Sequence, residues 1–180
     1  MPSHLPTAVR RVVPITYLSP LLAIIAGIVH ASIAPVIVIA GARPNLMLVA
    51  VVLVTAFAGF LPGITWAFVG GLTVNLLVGE PLGSVPLVLL VVAALVAGAQ
   101  RLIGRTVWVL PIAAAFLGSI VADAVGLALS QLVTDAPAAG WPSDVMVSAA
   151  VLNAVTTTIF LLPARAIAAR TVPDETATAW

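Results

Sequence analysis

The residues of this chain with chemistry to offer are a few polar side chains set inside stretches that are otherwise almost wholly apolar. Asp123 sits in "VADAVGLAL", His30 in "AGIVHASI", and Asn75 and Glu80 in "GLTVNLLVGEPLG"; Asn153 is followed by Thr156 and Thr157. An acid deep in a membrane costs about 2.5–3.5 kcal/mol on insertion scales, so Asp123 is a functional candidate by default. The competing role is structural, with its carboxyl bonded to Asn153 or to a backbone carbonyl. A lone His30 has no second ligand at metal-binding spacing and suits an interfacial or packing role better. An aspartyl dyad would need a second intramembrane acid beside Asp123. No His-Glu-x-x-His, Gly-x-Ser-x-Gly or glycine-rich phosphate loop occurs,. The residues therefore argue against an enzyme and imply no cofactor or metal.

The elements that hold these residues follow from composition. Of 180 residues, 62% are hydrophobic and 7% charged, with a mean hydropathy of +1.25. Seven arginines and six acids cannot cover a water-soluble domain, so the chain reads as a polytopic membrane protein,. A net charge of +1 excludes an electrostatic nucleic-acid binder, and the absence of cysteine excludes disulfides and thiolate metal sites,. Six apolar runs are long enough to cross a bilayer, roughly 15–40, 44–61, 63–79, 82–100, 106–133 and 145–163,. Runs such as "LMLVAVVLVTAFAGF" lack the alternation of a membrane β-barrel, so the spans are helices,. Short linkers make neighbours antiparallel and adjacent. The expectation is an all-α protein: residues 1–180 form one compact six-helix transmembrane domain, with short tails at 1–12 and 166–180. A signal peptide cleaved after Ala31 is the weaker reading, because the apolar run continues to Ala40,.

Arginines set the orientation. With six spans and a cytoplasmic N-terminus, Arg10, Arg11, Arg101, Arg105, Arg165 and Arg170 lie inside and only Arg43 outside, so both termini are expected in the cytoplasm,. Trp66, Trp108 and Trp141 fall near span ends, where interfacial aromatics belong. Small residues recur every fourth position in the third span, at Gly63, Ala67, Gly71, Asn75 and Gly79. The fifth repeats the device with Gly118, Ala122, Gly126 and Ser130. Such stripes admit a close backbone, and Asn75 is expected to hydrogen-bond across the interface. They also offer faces for a partner's membrane helix, or for a homodimer. With Ser119, Asp123 and Asn153 nearby, the polar spots of three helices suggest a common interior.

The stretch 43–83 resembles the MreD family, the small integral-membrane subunit of the bacterial cell-elongation machinery. Pro44-Asn45 opens the second helix, and a glycine turn follows. Gly71-Leu72-Thr73-Val74-Asn75 then precedes Glu80-Pro81-Leu82-Gly83. Asn75 stands where the family commonly has an acid. The resemblance implies a non-catalytic scaffold in the bacterial cytoplasmic membrane, acting in cell shape and peptidoglycan synthesis. Its implied partners are an MreC-like single-span protein and, through it, MreB, RodA and the transpeptidase partner of RodA. The family is also similar in fold to the S-components of energy-coupling-factor vitamin transporters, which supply the rival function. In that rival, Asn75, Glu80, His30 and Asp144 would meet at the outer side around a vitamin.

Overall fold

The computed structural model describes residues 9–39, 41–103, 109–133 and 143–171, with side chains omitted at 9–17, 130, 133 and 168–171. Trp108, Trp141, Arg105, Asp135, Asp174 and Glu175 lie outside the described residues, as do the side chains of Arg10, Arg11, Ser130 and Arg170. Six helices follow one another: α1 Val9–Ile33, α2 Leu46–Ala58, α3 Phe60–Val78, α4 Ser84–Ile103, α5 Leu110–Val133 and α6 Ser143–Thr171. The only β pairing among the described residues is a single bridge between Ile39 and Ala42. α3, α4, α5 and α6 are long and apolar enough to cross a membrane; among the described residues, Leu18–Ile33 of α1 and all of α2 form shorter apolar helices.

The polarity is that of a membrane protein. Large apolar side chains such as Leu76, Leu82, Leu102 and Leu132 face outward, whereas Thr55, Asn75, Ser119, Asn153 and Thr157 are buried. Helix α2 is the hub and touches each of the other five. Its side chains Met47, Leu48, Val51 and Val52 are fully buried against Val74, Leu89, Val92 and Val96. Among the described residues α1 packs on α3 and α2 and on no other helix.

The helix ends depart from the apolar runs at Ile33, at Gly59 and beyond Pro163, each for a local reason. α1 stops at Ile33, so residues 34–39 of the first run are not helical. Pro35 disfavours helical geometry in the residue before it, whatever the hydropathy beyond. α2 and α3 break at Gly59 and not at Pro62-Gly63. Pro62 falls in the first turn of α3, where the missing N–H has no intrahelical partner to lose. α6 runs through Pro163 to Thr171, so the expected tail from 166 begins as helix; membrane-type helices tolerate such prolines. Because α3 starts at Phe60, Trp66 sits in its second turn and not at its end. Its Nε1 donates to Ser19 Oγ of α1 at 2.9 Å, which makes it a tie between helices, satisfying the indole N–H as burial requires.

Most of the small-residue stripe is consumed inside the bundle. A Cβ on Gly63 would collide with Thr55, and one on Gly71 would lie 2.8 Å from Pro86 Cα. Gly118 faces Val92 at 3.1 Å, while Gly126 meets no atom within 4 Å. From Gly63 to Gly71 the stripe on α3 is thus occupied by α2 and α4, and Asn75 is buried; only Gly79 at its end is exposed.

Candidate functional site

Three polar arrangements lie toward the end of the bundle where α1 and α3 finish and α2 and α4 begin. The first is a turn lock. Asn75, buried in the last turn of α3, donates from Nδ2 to the carbonyls of Glu80 at 2.8 Å and Pro81 at 3.2 Å. Its Oδ1 accepts from the Gly83 backbone N–H at 2.7 Å. All three bonds go to the turn that follows its own helix, so the expected bond across to another helix is not made. The turn needs left-handed backbone at Gly79 (φ +74°) and Gly83 (φ +91°), where a Cβ would be strained,. Glu80 and Pro81 therefore serve Asn75 through their main-chain carbonyls.

The second arrangement joins three helices. Asn45, with Pro44 buried before it, is the N-cap of α2: its Oδ1 accepts from Leu48 N–H at 3.0 Å. Its backbone N–H donates to Asn153 Oδ1 of α6 at 2.7 Å. Asn153 Nδ2 donates to Ser119 Oγ of α5 at 2.8 Å, and Ser119 Oγ donates to the Ala115 carbonyl. Each buried polar group has a partner, the condition under which a buried network stabilises a unique packing. Asn153 is thus engaged with Asn45 and Ser119 and not with Asp123.

The third is a pocket of about 650 Å³ lined by all six helices or their connections. Its polar lining comes from His30, Arg43, Asn45, Glu80, Ser84 and Asp123, and its walls from residues such as Val74, Val88, Leu89 and Met146. Arg43 and Glu80 are exposed at the rim; His30 and Asp123 are half-buried. Among the described residues no group donates a hydrogen bond to the Asp123 carboxyl. His30 Nδ1 and Ser84 Oγ are buried without a partner. A serine, a histidine and an aspartate therefore share one cavity without the serine–histidine bond that nucleophilic catalysis needs. No group of three metal-ligating side chains converges among the described residues.

Of the residues that the vitamin-binding rival would gather, His30, Asn75, Glu80 and Asp144, two line the pocket, His30 and Glu80. Asn75 is turned into its turn, and Asp144 is exposed on the first turn of α6. Gly126 lines the pocket and leaves it space. Arg43 and Ser84 had no signal in the sequence beyond their place next to Pro44 and Gly83. Gln100 was also missed; its Nε2 donates to the Ala56 carbonyl at 2.8 Å and ties α4 to α2.

No curated protein and no solved structure matches the chain. The family model of the rod shape-determining protein MreD matches residues 11–166, a stretch that takes in all six helices. The chain belongs to the MreD family of rod shape-determining membrane proteins.

Proposed function

We propose that this MreD-family chain is a non-catalytic scaffold of the bacterial cell-elongation complex. It crosses the cytoplasmic membrane six times, with both termini in the cytoplasm, and binds an MreC-like single-span protein. Through that protein it reaches MreB, RodA and the transpeptidase partner of RodA. The observation that carries the reading is the family match over residues 11–166. A bundle with an apolar exterior and a hydrogen-bonded interior supports it. With 13 residues, α2 is only ~20 Å long, but a helix enclosed by five others need not match the lipid thickness,. Because the stripe on α3 is largely occupied, the partner's span would pack on an outer apolar face such as that of α1 (Leu18, Leu21, Ile25) or α6 (Val151, Val155, Ile159).

The test is depletion: rod-shaped cells losing the protein become round, and the full chain restores them. Cells that stay rod-shaped without it would refute the proposal. The orientation has its own test in the arginine bias. Alkaline phosphatase fused after Ala138 is expected to be active, and the same reporter after Arg170 inactive. The reverse pattern would overturn the topology.

One observation favours a second reading. With both termini in the cytoplasm the pocket would open on the outer side, where the rival needs its vitamin, and its volume is within the range of small-molecule sites,. That rival predicts a vitamin retained through purification, or a rise in thermal stability when one is added.

A further inference from the structure

The pocket between Arg43, Glu80 and Asp123 has a chemistry that a scaffold leaves unused. The Asp123 carboxyl stands in a largely apolar wall with no donor among the described residues. In such a medium it attracts a cationic donor far more strongly than it would in water, because Coulomb attraction grows as the dielectric constant falls. Glu80 adds a second acid at the rim, and Arg43 is the one cationic side chain among the described lining residues. Both signs of charge therefore face one cavity of about 650 Å³.

The geometry points to a binding site for a zwitterion that carries a primary ammonium beside an anionic group. Its ammonium sits against Asp123, with Glu80 beside it, and its anion is directed to Arg43. A primary ammonium is favoured over a quaternary one by the lining itself. Quaternary groups have no N–H and are held by aromatic faces, and among the described residues no Phe, Trp or Tyr lines this pocket. A primary ammonium instead offers three donors, which a carboxyl lacking a donor accepts. The membrane supplies such a molecule as an ethanolamine phospholipid. Its acyl chains have an exit, since α1 and α6 both line the pocket and share no contact among the described residues. A free aminoalkyl phosphate offers the same headgroup without the chains.

The experiment is native mass spectrometry of the full chain in a maltoside detergent. It is titrated with ethanolamine, choline and glycerol phospholipids of identical acyl chains, and with free glycerophosphoethanolamine. The ethanolamine lipid is expected to bind about tenfold more tightly than the choline lipid, the effect of one charge-assisted hydrogen bond. Asp123→Asn, which keeps the volume, and Arg43→Gln, at the exposed rim, are each expected to reduce that binding by a similar factor. Equal binding of free glycerophosphoethanolamine would assign the site to the headgroup alone; binding of the lipid only would assign it to the membrane. Equal affinity for the ethanolamine and choline lipids would overturn the inference. So would tighter binding of the glycerol lipid, or an unchanged preference in both variants when their thermal melts show them folded.

Discussion

Replacing Gly71 with leucine is expected to leave little correctly packed protein. A Cβ at this position would stand 2.8 Å from Pro86 Cα and 3.1 Å from Pro86 N. Those atoms are backbone of α4, which cannot swing aside as a flexible side chain can. Gly71→Ala already forces α3 and α4 apart, a strain of about 1–3 kcal/mol for an overpacked core. Leucine adds three more carbons to the same contact. It would also displace Leu89, which is buried against α2. The measurement is the fraction of monodisperse protein in detergent together with its thermal midpoint. Gly98→Ala is the control, since a Cβ there meets nothing within 4 Å. A Gly71→Leu variant as stable as the Gly98→Ala control would show that α3 and α4 do not approach as described.

Asn75→Leu is the second large effect, with an expected loss of roughly 2–3 kcal/mol. The figure follows from three hydrogen bonds at about 0.6–1.7 kcal/mol each in a membrane setting, with backbone groups left unpaired behind them. The lost partners are the carbonyls of Glu80 and Pro81 and the N–H of Gly83. Asn75→Asp keeps the acceptor for Gly83 but an ionised aspartate has no donor for the two carbonyls. It should fall between the wild type and Asn75→Leu. Unfolding in a denaturing detergent titration checks the order of the three. Because the bonds are local to the α3–α4 turn, proteolysis near Pro81 should increase in both variants. Unchanged stability in Asn75→Leu would mean that the turn holds its shape without the amide.

The apolar segments, their helical nature and the buried face of α3 were legible in the sequence because hydropathy and four-residue spacing report burial directly. The ends of the helices were less so. Residues 34–39 are as apolar as the helix before them, yet Pro35 and the bridge from Ile39 to Ala42 take them out of it. Hydropathy records where a residue sits and not what its backbone does. The resemblance placed Asn45 at the opening of the second helix, and the structure shows that it caps α2,. Its link to Asn153 was not legible, since those residues are 108 positions apart and nothing in either segment names the other. Asn75 shows the same limit from the opposite side. Spacing identified its buried face, but a buried amide is satisfied equally by a neighbouring helix or by its own turn. Only the course of the chain from Gly79 to Gly83 decides between them. The pocket was legible only in part, because its lining comes from every helix or connection of the bundle.

The central claim, a scaffold that holds a single-span partner, is tested most directly by what accompanies the protein from its own membrane. Cells expressing the full chain with an affinity tag are solubilised gently, and the captured complex is analysed by mass spectrometry. The account predicts a single-span protein with a periplasmic coiled coil in near-stoichiometric amount, with components of the cell-wall elongation machinery beside it. Recovery of a coupling subunit and ATPases carrying a bound vitamin, with no such coiled-coil protein, would contradict it.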